Sequence, residues 1–108
     1  MRKNLASVNR YYNLRLTPIQ IVTTENPMMI VWDEPKREAN ILKHGIDFAD
    51  IGEGFFASAL IGQAKAGRWF AIGEMDGVIV VIFATLGTEG ISIISARPAS
   101  RKERKLIA

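Results

Sequence analysis

The stretch RWFAIGEMDGVIVVIFAT, residues 68–85, decides the fold. Two apolar runs meet across Glu74-Met75-Asp76-Gly77, and an Asp-Gly pair between apolar runs is a strong hairpin signal. The second run, Val78 to Thr85, is almost entirely apolar and β-branched, which predicts a central strand buried on both sides. In the first run Trp69 and Phe70 alternate, so one faces the core and the other faces solvent or a partner, where an exposed aromatic suits a protein contact. Downstream, Gly87 to Gly90 reads as a turn and Ile91 to Ala96 as the next strand, broken by Pro98. Ser100 and Glu103 have the spacing of a capping box for a last short helix, which is too short to stand without packing on the sheet.

Upstream, Ala57 to Ala66 is weakly patterned, with a strand candidate around Leu60-Ile61. Phe48 to Phe56 reads as a short helix with Phe48, Ile51 and Phe55 or Phe56 as its apolar contacts. Before it lies a longer helix with clear ends. Asp33 caps its first turn, Pro35 fits that turn because its missing N–H needs no partner, and Gly45 supplies a left-handed stop. At 100° per residue, Ala39, Leu42 and Ile46 share one face and form the expected core stripe. Lys36, Asn40 and Lys43 form a separate polar stripe, with His44 at its border. Met29 to Trp32 reads as a short strand leading into this helix. The order predicts an α+β fold: an antiparallel sheet of three to four strands, two N-terminal helices on one face, and a short C-terminal helix.

A chain of 108 residues, 48% of them hydrophobic, is one domain with a modest core. With no cysteine, disulfides and thiolate metal sites are excluded, and one histidine argues against a histidine-built metal site, so no cofactor is expected. No apolar run approaches the ~20 residues of a membrane span, and the N-terminus lacks the pattern of a secretory signal, so a cytoplasmic protein is expected. The net charge of +3 lies in residues 1–27, which hold four basic groups against Glu25; residues 28–108 are neutral. Residues 1–27 read as an extension, either a flexible arm or the product of a start codon called too early, with the working domain at 28–108. Within that domain the signs separate: Arg97 to Lys105 carry five bases and one acid, a patch that attracts phosphate backbones.

Taken in order, Trp32, Asp33, Lys36, Asn40, Lys43, His44, Gly45 and Phe48, then Arg68, Ala71, Ile72, Gly73, Gly77, Val80 and Val81, then Ile93, Ile94, Ser95, Ala96, Arg97, Glu103 and Arg104 resemble the BrnT family, the toxin half of a bacterial type II toxin–antitoxin pair. The match runs from about Met29 to Arg104 at family spacing and leaves residues 1–27 outside it. The resemblance implies a RelE-like fold and a metal-independent endoribonuclease that inhibits growth. It also implies a cognate antitoxin of the ribbon-helix-helix, BrnA-like type, through which the pair reaches DNA. Three positions depart from the pattern: the family commonly has Arg near Gly87, Arg near Ser92 and Tyr near Ile107. These losses of polar groups carry the alternative reading, a catalytically weakened homologue that binds its antitoxin without cleaving RNA. A general nucleic-acid binder using the basic tail is a third reading.

Metal-free RNA cleavage needs a group to take the 2′ proton, a group to protonate the leaving oxygen, and cations to steady the phosphorane. Arg68 and Arg97 suit the last role, because a guanidinium fork matches two phosphate oxygens. His44 is a candidate for proton transfer, since histidine ordinarily titrates near ~6.5, or else a cap on the last helix carbonyls. Lys43 holds phosphate or donates a proton. Glu103 is a candidate base, although its capping-box position gives it a structural reason to exist. Lys36, Arg101 and Arg104 position RNA. Trp32 reads as a core anchor or else as a platform that stacks on a base, and Asn40 as a lock between the helix and a neighbouring loop. Lys43, Arg68 and Arg97 are expected to converge on one hollow.

Overall fold

The computed structural model describes residues 28–108; the expectations for residues 1–27 lie outside the described residues. The chain runs β1 (Met29–Trp32), α1 (Glu34–His44), a 3-10 turn (Phe48–Asp50), α2 (Glu53–Ser58), β2 (Leu60–Gln63), a second 3-10 turn (Lys65–Gly67), β3 (Trp69–Glu74), β4 (Val78–Leu86), β5 (Gly90–Pro98) and α3 (Arg101–Lys105). The fold is α+β, as the sequence predicts.

The sheet corrects the expected three to four antiparallel strands. It has five, in the order β1-β5-β4-β3-β2. β2 to β5 form an antiparallel meander, but β1 lies parallel to β5, with Met29 opposite Gly90 and Trp32 opposite Ile93. A parallel pair needs a long crossover, and the helices and meander between residues 32 and 90 supply it. The approach at the start of this pair is close: a Cβ on Gly90 would lie 2.1 Å from the carbonyl oxygen of Met29. Gly90→Ala is therefore expected to destabilise the domain by about 3 kcal/mol through overpacking against backbone that cannot yield. Thermal melts would read this, with Gly73→Ala, whose Cβ would meet the Phe55 ring, as a milder comparison.

Each face of the sheet has its own cover. One face packs Trp69, Ala71, Ile79, Val81, Phe83, Ile93 and Ala96 under α1, the first 3-10 turn and α2. Phe48 is fully buried there, and Phe56 meets Phe83 edge-to-face at 5.3 Å. The expected second helix over Phe48 to Phe56 is split: Asp47 caps a single 3-10 turn, and Gly52 precedes α2. The other face carries Phe70, Ile72, Val80, Ile82 and Arg97, and among the described elements α3 leans over it. Trp69 is thus the inward member of the aromatic pair and Phe70 the half-buried one on the opposite face.

α1 forms where expected. The Asp33 carboxylate accepts from the Lys36 N–H, Pro35 sits in the first turn, and Gly45 ends the helix at φ 71°. Its predicted core stripe holds at Ile46, which is buried, and is corrected at Leu42, which is 89% exposed, and at Ala39, also exposed, whereas Asn40 is only 6% exposed. The inward side is Arg37, Asn40 and His44, so the helix is held mainly by polar bonds rather than by apolar burial. Arg37 grips Asp47 through Nε at 2.6 Å and Nη2 at 2.9 Å, and reaches Glu34 at 3.0 Å. This pair pulls the Asp47 carboxyl down to about 2.

Asn40 explains how the sheet continues past β1. β1 covers β5 only as far as Ile93. Beyond it, the Asn40 amide donates to the Ala96 carbonyl at 2.9 Å, and its carbonyl accepts from the Ala96 N–H at 3.0 Å. The same amide nitrogen donates to Ile46 at 2.9 Å. One side-chain carboxamide therefore stands in for the missing strand. The lock expected from the sequence reaches the loop after the helix and β5 as well.

Candidate nucleic-acid interface

The sheet face that carries Phe70 holds a groove of about 300 Å³. Its floor is apolar: Phe70 and Ile72 from β3, Val80 and Ile82 from β4. Its rims are charged. Lys65 comes from the turn between β2 and β3, and Arg97 and Glu103 come from β5 and α3, with Leu106 beside them.

Arg97 is fixed in place. Its Nη1 and Nη2 donate to the two Glu103 carboxylate oxygens at 2.8 and 2.9 Å, and Nη1 also donates to the Pro98 carbonyl at 3.3 Å. Glu103 is itself held by the capping box: it accepts from the Ser100 N–H at 2.8 Å, and Ser100 Oγ accepts from the Glu103 N–H at 3.1 Å. These bonds leave the Nε–H and the second Nη2–H of Arg97 without a partner among the described residues. Those two hydrogens form one edge of the guanidinium and match two oxygens of a phosphate.

The Arg97 guanidinium holds the Glu103 carboxyl down at about 2. Both Glu103 oxygens are engaged by Arg97, so the contacts it makes are those of a residue that positions the guanidinium. Because its folded pKa is depressed, the stability it contributes is present above the ordinary glutamate pKa of ~4.3 and is lost as pH falls through about 2. Asp47 behaves alike. Melting temperature is expected to fall on acidification from pH ~4.5 towards ~2. The fall is expected to be shallower in Glu103→Gln and shallower still with Asp47→Asn added.

Arg68 sits at the start of β3, exposed, with extended backbone and its carbonyl accepting from the Ala64 N–H at 2.8 Å. Strand alternation places it on the side of Phe70, opposite Trp69, so Arg68 and Arg97 share that face. The turn that presents Lys65 and Arg68 holds Ala66 in the left-handed region at φ 59°, followed by Gly67 at φ 73°, which glycine adopts freely. A left-handed alanine costs about 1 kcal/mol, and such outliers gather at functional sites.

The expected convergence of Lys43 with these arginines is corrected. α1 docks on the edge of β5 through Asn40 and Ala96, and neither Lys36 nor Lys43, both exposed on it, lines the groove that holds Arg97. His44 lines a different hollow at the end of the sheet, with Asp47, Asp50, Asp76, Gly77 and Pro98. Three carboxylates beside it make that hollow uninviting to phosphate. Arg101 is exposed on α3, and Arg104 donates to the Ala99 carbonyl at 3.0 Å. Sequence reading missed Lys65, an isolated lysine in the weakly patterned stretch; only its place in the turn gives it a role. Gly87, one of the departures from the family pattern, sits at φ 58° in the β4–β5 turn, a conformation that suits glycine. Among the described residues no group of three or more His, Cys, Asp or Glu can hold a metal ion, and no helix is long and apolar enough to cross a membrane.

A small α+β domain with a cation-rimmed groove on the sheet face opposite Trp69 and Phe83 fits the class of nucleic-acid-acting proteins. The comparisons narrow that class. Residues 32–103 match the family model of BrnT, described as the ribonuclease toxin of a type II toxin–antitoxin system, and the chain belongs to that family. It is similar to the crystal structure of the Brucella abortus ribonuclease toxin BrnT, at 53% identity and a TM-score of 0.65, over 68% of this chain and 99% of that one. No curated protein matches the chain.

Proposed function

We propose that this chain is an endoribonuclease that cleaves RNA without a metal ion, on a RelE-like fold, and inhibits growth until a cognate antitoxin of the ribbon-helix-helix type silences it in the cytoplasm. The observation that carries this reading is the free guanidinium edge of Arg97 on the groove face of the sheet, with Lys65 and Arg68 on the same face. The 2′-hydroxyl gives its proton to water and attacks the adjacent phosphorus, and the 5′-oxygen leaves and takes a proton from water, giving a 2′,3′-cyclic phosphate and a 5′-hydroxyl. The phosphorane gathers negative charge, which Arg97 meets with two hydrogen bonds, while Lys65 and Arg68 hold neighbouring phosphates of the RNA chain. Lys36, Lys43, Arg101 and Arg104, all exposed, steer RNA toward the molecule through charge. DNA is reached only through the antitoxin.

Purified protein incubated with an RNA transcript in EDTA is expected to yield fragments ending in cyclic phosphate. Equal cleavage by wild type, Arg68→Ala and Arg97→Ala would refute the assigned roles. No cleavage by wild type, together with antitoxin binding, would leave a binding module in place of an enzyme.

A further inference from the structure

We infer that the outward face of α1 is a self-association surface, on which a second copy of this chain packs its own α1 in parallel about a two-fold axis. The surface is separate from the groove, since none of the residues it uses lines that groove.

Asn40, bonded to Ile46 and Ala96, fixes which way α1 turns. At 100° per residue the opposite side of the helix carries Pro35, Ala39 and Leu42. All three are exposed, Leu42 at 89%. They stand four and then three residues apart, which is the d, a and d of a heptad, the narrow seam along which one helix packs on another. The seam has flanks of opposite sign. In the same heptad Glu38 falls at g on one side, and Lys36 and Lys43 fall at e on the other. These three side chains are exposed, and among the described residues none of them forms an ion pair.

The flanks select the occupant. In a parallel two-fold pair the g side of one helix meets the e side of the other, and a g residue reaches the e residue of the next heptad. Glu38 to Lys43 of the second copy is that step, and the symmetry makes it twice. Leu42 then meets Leu42 across the axis, and Ala39 meets Ala39. Pro35 ends the seam in the first turn, where its missing N–H costs no hydrogen bond. An antiparallel two-fold pair would instead set g beside g and e beside e, so that the acids face one another and the lysines do the same, which like charges oppose. α1 has 11 residues and is therefore ~16 Å long. Two helices of that length bury less than the ~1,200 Å² of a standard interface, so the pair is weak and depends on concentration.

Sedimentation velocity of the full chain tests this. Wild type is expected to pass from monomer to dimer between ~10 μM and ~1 mM, the range of a weak complex. Leu42→Lys is expected to stay monomeric throughout with an unchanged thermal melt, because so exposed a side chain contributes little to the fold. Glu38→Lys and Lys43→Glu are each expected to weaken the dimer ~10-fold or more, since each sets like charges across the axis. An equimolar mixture of these two variants is expected to dimerise as tightly as wild type, because in the mixed pair each g side meets an e side of opposite sign. A wild type that stays monomeric over this range overturns the inference, as does a dimer unmoved by Leu42→Lys. A dimer that the mixture fails to restore is not the parallel pair and overturns it too.

Discussion

Replacing Arg97 with alanine is expected to slow RNA cleavage by ~100- to 1,000-fold, the usual effect of removing one charged donor from a developing oxyanion. The geometry makes this residue hard to substitute. Two of its N–H groups are committed to Glu103, so the guanidinium is locked before RNA arrives and its free edge needs no reorganisation. Arg97→Lys keeps the charge but cannot hold Glu103 and a phosphate at once in the same plane, so it is expected to recover only a small part of the rate. Arg97→Ala should still fold. Its partner Glu103 is not fully buried and keeps its bonds to Ser100, so the loss of this pair costs about 1 kcal/mol or less. Single-turnover rates on an end-labelled RNA, taken beside thermal melts, separate the two effects. A variant that melts normally and cleaves at the wild-type rate would remove Arg97 from the site.

Asn40→Ala is expected to destabilise the domain by about 4 kcal/mol. It breaks three buried hydrogen bonds and strands the Ala96 N–H, the Ala96 carbonyl and the Ile46 carbonyl in a region with no strand to replace the amide. For a domain of this size that corresponds to a drop of roughly 20 °C in melting temperature. Asn40→Asp is expected to do no better near neutrality, because it puts a carboxylate against two carbonyl oxygens that need a donor. A loss below about 1 kcal/mol in a urea or thermal series would show that water replaces the amide and that the helix is held by something else.

What could be read from the sequence was whatever is local. The Asp33 cap, the Gly45 stop, the Asp76-Gly77 hairpin and the Ser100–Glu103 capping box each depend on residues within a few positions of one another, and each stands where the spacing put it. The parallel partnership of β1 was not legible, because four residues carry no mark of a partner sixty positions away. The orientation of α1 was misread for a physical reason. The wheel separates apolar from polar residues on the assumption that the apolar side goes in, and here a carboxamide was worth more inside than Leu42, because an open strand edge needed a donor and an acceptor. The same misreading sent Lys43 and His44 toward the arginines. Arg97 and Arg68 were found through the family pattern and lie on one face. Lys65 was not found, because nothing near it in the chain announces a turn that aims it at a groove.

The sheet order has a consequence for synthesis. β5 lies between β1 and β4, is the last strand to be translated, and carries Arg97. Until it leaves the ribosome, β1 has nothing to pair with and β4 has a bare edge. A product that ends before Arg97 therefore lacks both a complete sheet and the guanidinium proposed to hold phosphate, so an interrupted round of translation is expected to release no active fragment.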